Sequence, residues 1–206
     1  MVPVKVHGVP PSTLTRTVLL ACHEKGIDHE LVPTMPSEIA SINPFRKIPA
    51  ITHGDLVLYE STAILRYLER TFPGTRLWPD DSVSVAMCDQ WIGAVCDSLV
   101  NAALRYMASR FGFLPVPAEM QRQYLDKTRE VVPIFDRQLG KTRYLAGDSL
   151  TAADLFLAPV MFYFPDIPEL RVIGEAAPNC ARWARDMVGR PSVAATEPQQ
   201  KPALAS

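Results

Sequence analysis

A change of character near Pro73 limits the folds open to this chain. Before it, β-like runs alternate with short helical patterns; after it, only helical periods remain. Residues 3–7 alternate through Val4 and Val6 and read as a strand. Residues 13–25 carry a helical pattern (Leu14, Val18, Leu19, Cys22) that Gly26 stops. A second strand covers residues 29–32 and ends at Pro33, and residues 35–42 have room for one or two helical turns. The apolar runs 48–51 and 56–59 flank the turn signal Thr52-His53-Gly54-Asp55. Ala63, Ile64, Tyr67, Leu68 and Phe72 then share one helical face. The order βαβ, short helix, ββα predicts one mixed sheet with helices packed on it.

Beyond Pro73 the strands disappear. Pro73-Gly74 and Trp78-Pro79-Asp80 mark a linker. Residues 82–111 keep a helical period through Cys88, Trp91, Ile92, Val95, Leu99, Ala102 and Tyr106. Residues 118–139 repeat it through Leu125, Thr128, Val132, Phe135 and Leu139, with Pro133 expected to kink the helix. Thr151-Ala152-Ala153-Asp154 is a capping-box variant, with Leu150 and Leu155 at the staple positions. It opens a helix through Phe156, Pro159 and Phe162. A last helix runs through Cys180, Trp183, Ala184 and Met187 to Gly189. The expected organisation is an α/β domain over 1–73, a linker over 74–84, an all-helical domain over 85–195 and a flexible tail over 196–206.

Composition excludes several functions. With 48% apolar and 21% charged residues in 206, the chain has enough to bury a proper core. A net charge of -1 gives no general pull toward nucleic acid or a membrane surface, and neither is expected as a partner. The longest fully apolar runs fall short of a membrane span, and the N-terminus lacks the pattern of a secretion signal. Cys22, Cys88, Cys96 and Cys180 are scattered without a CxxC pair, which reads as buried free thiols in a reducing compartment. His7, His23, His29 and His53 are scattered too, so no metal cluster is expected.

Chemistry concentrates at Ser12. It follows the first strand and a Pro10-Pro11 turn and precedes the first helix, at the positive end of that helix's dipole. Such a hydroxyl can hold an anion, and a thiolate is an anion; its simpler role is to cap the helix. Two further segments are Asn43-Pro44-Phe45-Arg46-Lys47-Ile48-Pro49-Ala50 and Tyr59-Glu60-Ser61-Thr62-Ala63-Ile64. Ser61 offers a hydroxyl and a helix-start N–H to a carboxylate, and Glu60 an acceptor to an ammonium group.

With the small α/β unit ahead of an all-helical one, these segments resemble the glutathione S-transferase superfamily. The stretch Pro10-x-Ser12-x-x-Thr15-Arg16 is most similar to its serine-type, phi- and theta-like members. The resemblance implies an N-terminal thioredoxin-like domain and a C-terminal helical bundle domain. It implies a cytoplasmic detoxification enzyme, a homodimer, that conjugates the glutathione thiolate to hydrophobic electrophiles with no cofactor beyond glutathione as co-substrate. Ser12 would donate to the sulfur, with Thr13 ranked second. Ile48 would pair strand-like with the cysteine unit ahead of a cis Pro49, and Lys47, Glu60 and Ser61 would bind the tripeptide. Tyr106, Met107, Phe111 and Phe113 are candidates for an apolar second-substrate pocket, although each is also a good core residue. Thr151 and Asp154 would serve folding.

Residues 34–42 depart from the family. They hold Met35-Pro36-Ser37-Glu38 where phi-like members carry a longer, basic stretch for the glycine carboxylate. The alternative is therefore a non-catalytic ligand- or protein-binding module with weak or no glutathione affinity. A thiol oxidoreductase is disfavoured, because Cys22 lies near the far end of its helix, where the dipole opposes a thiolate.

Overall fold

The structure, a computed structural model, describes residues 2–200 and 202–205. The chain forms two units, Met1–Trp78 with Arg190–Lys201, and Pro79–Gly189 with Pro202–Ser206.

In the first unit, β1 (Val4–Gly8), β2 (His29–Pro33), β3 (Ala50–His53) and β4 (Leu56–Tyr59) form one mixed sheet in the order β2-β1-β3-β4. β1 pairs parallel with β2 and antiparallel with β3, and β3 pairs antiparallel with β4. The crossover from β1 to β2 is α1 (Thr13–Lys25). Gly26 ends it in the left-handed region at φ 67°, which glycine enters without a Cβ penalty. α1 lies close on β1: a Cβ on Gly8 would meet Thr15 Oγ1 at 2.3 Å. The expected turns between 35 and 42 reduce to a 3-10 turn, Ile39–Ser41. α2 (Ser61–Thr71) follows β4 and buries Ile64, Leu65 and Leu68.

The second unit is all-helical. Ser82–Arg110 is one continuous run, built of α3 (Ser82–Ala94), a π-helical stretch (Val95–Leu104) and α4 (Arg105–Arg110). By length and composition it is the one described helix able to cross a membrane. Its buried face (Cys88, Trp91, Ile92, Val95, Leu99) packs as a core helix does, on α5 (Ala118–Leu139) and α6 (Ala152–Met161). α7 (Pro168–Glu175) and α8 (Pro178–Val188) complete the unit. The sequence reading contained no α7, whose eight residues are too few for a periodic signal.

The predicted capping box is present and reaches further than expected. Asp154 is fully buried, and its carboxylate accepts from Thr151 N (3.0 Å), Thr151 Oγ1 (3.1 Å), Leu145 N (3.0 Å) and Trp183 Nε1 (3.0 Å). Burial pushes its pKa up, against the pull of those donors.

The expected end of the helical domain at 195 is corrected. Arg190–Lys201, with α9 (Pro191–Ala195), group with the first unit. Arg190 grips Glu24 on α1 through Nε and Nη2, both at 2.7 Å. Thr196, expected in a loose tail, is 5% exposed and donates to Ser192 O at 2.9 Å. Pro- and Gln-rich composition signals a loose segment only where no buried partner exists, and here α1 supplies partners.

Candidate active site

Strand register gathers the sequence-predicted segments at one end of the sheet. Gly8, the last residue of β1, leads through the Pro10-Pro11 turn to Ser12. Ala50, the first residue of β3, faces His7 on one side and Tyr59 on the other. Pro49 therefore sits beside the exit of β1, and Glu60-Ser61 beside Pro49, each one strand away at about 5 Å spacing. β2 ends at the same edge, where Thr34 N donates to Gly8 O at 3.1 Å. Ser12, Ile48-Pro49, Glu60-Ser61 and the start of the 34–42 segment thus share one rim.

Ser12 is the N-cap of α1, with extended backbone at φ -69° and ψ 122°. Its Oγ accepts from Thr15 N at 3.3 Å, a long bond for an N–H donor. A hydroxyl that accepts through a lone pair still has one proton it can donate, so Ser12 has donor capacity beyond its capping bond. Thr13, the second-ranked donor, is 4% exposed, whereas Ser12 is half-buried.

The Ile48–Pro49 peptide is cis, as the resemblance implies. The loop before it is set by Asn43, which is 1% exposed. Its Nδ2 donates to Lys47 O at 2.7 Å, and its Oδ1 accepts from Phe45 N at 3.0 Å. Sequence reasoning gave Asn43 no role; the Asn-Pro dipeptide was the available turn signal. The Lys47 side chain is exposed.

Glu60 sits at φ 69° and ψ 113°, a backbone conformation uncommon for a residue with a side chain. It is the N-cap of α2, so Ser61 is the first helical residue. The first helical bond is Ile64 N to Glu60 O at 2.9 Å, and the N–H groups of Ser61, Thr62 and Ala63 have no partner within the helix. Ser61, the first residue of that helix start, is 8% exposed. That set of donors at a helix start suits a carboxylate. Residues 34–42 bring no cation to the rim; Glu38 turns back to accept from Met35 N at 2.8 Å.

The second-substrate candidates divide. Tyr106 and Met107 are buried, at 3% and 1% exposure, as the core reading of each expects. The Tyr106 hydroxyl accepts from Arg110 Nη1 at 3.3 Å, and Arg110 pairs with Glu169. Phe111 is half-buried against Tyr163, and Phe113 is 68% exposed. A cavity of about 380 Å³ lies by Lys25, Gly26, Phe72 and Pro73, at the end of α1 remote from Ser12. Cys22 is buried, and burial pushes its thiol up to about 12, which removes it as a redox nucleophile. Among the described residues no group of three or more His, Cys, Asp or Glu is placed to hold a metal ion.

Known proteins agree with this arrangement. The glutathione S-transferase N-terminal domain pattern matches residues 6–76, and the C-terminal domain pattern matches residues 95–191. Glutathione S-transferase 1 of Triticum aestivum is 34% identical over 215 residues, spanning 94% of this chain and 93% of its own. Among solved structures, poplar glutathione transferase F1 superposes with a TM-score of 0.86 at 29% identity, covering 95% of this chain and 97% of that one. Glutathione S-transferase I from maize, in complex with an atrazine glutathione conjugate, gives a TM-score of 0.82 at 29% identity, covering 94% and 96%. With a thioredoxin-like sheet domain, a helical C-terminal domain and matches along nearly its whole length, the chain belongs to the glutathione S-transferase superfamily, as a serine-type, phi-like member.

Proposed function

We propose that this transferase uses glutathione as its co-substrate and joins the thiolate to hydrophobic electrophiles, with Ser12 steadying the sulfur. The observation that carries the reading is the Ser12 hydroxyl, half-buried at the α1 N-terminus with its proton uncommitted. Lowering a thiol pKa by two units takes about 2.7 kcal/mol of preference for thiolate. A charge-assisted hydrogen bond and a helix N-terminus together reach that magnitude. The thiol proton leaves to solvent, and the sulfur lone pair forms a bond to the electrophilic carbon. That carbon releases its leaving group or, in an addition, takes up a proton.

The other rim residues bind. The N–H groups and hydroxyl at Ser61 hold the γ-glutamyl carboxylate, and Glu60 accepts from its ammonium group. The backbone of Ile48, turned by the cis bond to Pro49, pairs with the cysteine unit. Lys47 is the available cation for the glycine carboxylate. Phe111 and Phe113 stay as candidates for the electrophile's apolar contact. Action in the cytoplasm, a role in detoxification and a homodimeric assembly complete the reading.

Turnover of an aryl halide with glutathione tests it. The wild type is active, and Ser12→Ala loses about a hundredfold in kcat. An unchanged mutant removes Ser12 from the chemistry. The basic-poor 34–42 segment leaves the glycine end of glutathione with little positive charge, so we expect weaker binding of the tripeptide rather than loss of the transferase reaction. Calorimetric titration with glutathione measures that affinity directly, and a tight complex would show that the segment costs nothing.

A further inference from the structure

We infer that Arg16 is a positioning residue for Ser12, held in place by the C-terminal segment 190–196; this rests on the role of Ser12 proposed above. Arg16 is 4% exposed, one turn into α1. Its N–H donates to Ser12 O at 2.9 Å, so its backbone is tied to the residue that carries the hydroxyl. Its side chain leaves α1 for the returning chain. Nε donates to Thr196 Oγ1 at 3.3 Å and Nη2 donates to Val193 O at 3.1 Å. Thr196 in turn donates its proton to Ser192 O at 2.9 Å, which leaves a lone pair for the guanidinium.

The same segment grips α1 a second time. Glu24 accepts from Arg190 Nε and Nη2 at 2.7 Å each, and from the Ser192 hydroxyl. Glu24 lies about 12 Å along the helix from Arg16. Two fastenings that far apart set the tilt and axial position of α1, where one would leave it to pivot. Thr15, wholly buried between them and Ser12, lies against Gly8 and fixes the face that meets the sheet.

Ser12 needs this support. Among the described residues its side-chain oxygen is held by the long bond from Thr15 N. A reacting group displaced by about 1 Å loses up to a hundredfold in rate. The guanidinium fork holds two acceptors in fixed geometry, which an ammonium on a flexible stem does not reproduce.

The test compares Arg16→Lys, which keeps the charge, with Thr196→Val, which keeps the volume, each also in a Ser12→Ala background. Folding is checked by thermal melting. Thiolate formation is read from the ultraviolet absorbance of the enzyme–glutathione complex against pH. Arg16→Lys lowers kcat about tenfold, raises the bound thiol's apparent pKa by about half a unit or more, and leaves the KM for glutathione within about twofold. Thr196→Val moves both in the same direction by about two- to threefold. In the Ser12→Ala background both losses shrink to near zero, because the residues act through that hydroxyl. If Ser12→Ala costs activity while folded Thr196→Val shows the wild-type pH profile, the inference is overturned and the Ser12 assignment survives. Losses that persist undiminished without the hydroxyl also overturn it. A fully active Ser12→Ala overturns both.

Discussion

α1 and α6 both begin with a polar cap, and the two caps use their oxygens in opposite ways. At α6 the Asp154 carboxylate is sealed from solvent and saturated by Thr151, Leu145 and Trp183. At α1 the Ser12 oxygen is half-buried, accepts one long bond and keeps its proton unshared. The first arrangement ties the start of a helix, the loop at Leu145 and the indole of α8 into one buried node, leaving nothing for a ligand. The second holds the helix through one long bond and leaves the hydroxyl able to donate. The Asp154 cap uses all its capacity internally, whereas the Ser12 cap has capacity left over, which the proposed chemistry would use.

The largest effect should come from breaking the saturated cap. Asp154→Ala strips the partners from buried Leu145 N, Thr151 N and Trp183 Nε1 at once. Unpaired buried donors cost about 1–3 kcal/mol each, so a loss of about 3–5 kcal/mol is expected. Denaturant unfolding measures it, and glutathione turnover per folded molecule should stay at the wild-type level. A loss under about 1 kcal/mol would mean that the node is not a folding element.

Ser12→Ala should show the converse pattern. Removing an N-cap with one long bond costs about 1 kcal/mol or less in stability. If Ser12 donates to the thiolate as proposed, its removal costs about a hundredfold in kcat, near 2.7 kcal/mol in the transition state. Equal losses in stability and activity would erase the distinction between the caps.

How far each feature was readable follows the distance over which it is encoded. α1 was readable because its start, period and Gly26 stop lie within one short window. The Asp154 box was readable from Thr151, but its bonds to Leu145 and Trp183 were not, since neither belongs to the local motif. The rim at the end of the sheet was legible only as separate segments; their convergence depends on the pairing of β1, β3 and β4. The grip of Arg190 on Glu24 spans 166 positions and leaves no local signal, so residues 190–195 read as the end of the helical domain and α9 is not visible in the sequence. The π-helical stretch stayed hidden because a shift in winding over ten residues barely disturbs an apolar face.

Ser61 gives a finer comparison. Its hydroxyl, like that of Ser12, stands at a helix N-terminus, but it is the first helical residue rather than the cap. If it serves binding alone, Ser61→Ala raises the KM for glutathione about tenfold and leaves kcat nearly unchanged. A fall in kcat equal to that of Ser12→Ala would place both hydroxyls in the chemical step.

Glu24 separates saturation from burial. Its carboxylate is filled by Arg190 and Ser192, as that of Asp154 is by its own donors, yet its partner Arg190 stays partly exposed. Burial alone would raise the Glu24 pKa, but the bonds from Arg190 and Ser192 outweigh it and hold the group below the usual range. A carboxyl with a lowered folded pKa lends stability that is complete above its unfolded value, about 4.3, and is lost as pH falls through the folded one. Acidification below about pH 4.5 should therefore weaken the hold of residues 190–196 on α1, by about 1 kcal/mol or less for a partly exposed pair. Hydrogen exchange at α9 amides, followed against pH, reads the change, and Glu24→Gln should flatten it. Equal pH dependence in both proteins would assign the acid response to other carboxyls and leave saturation, not charge, as the source of the grip.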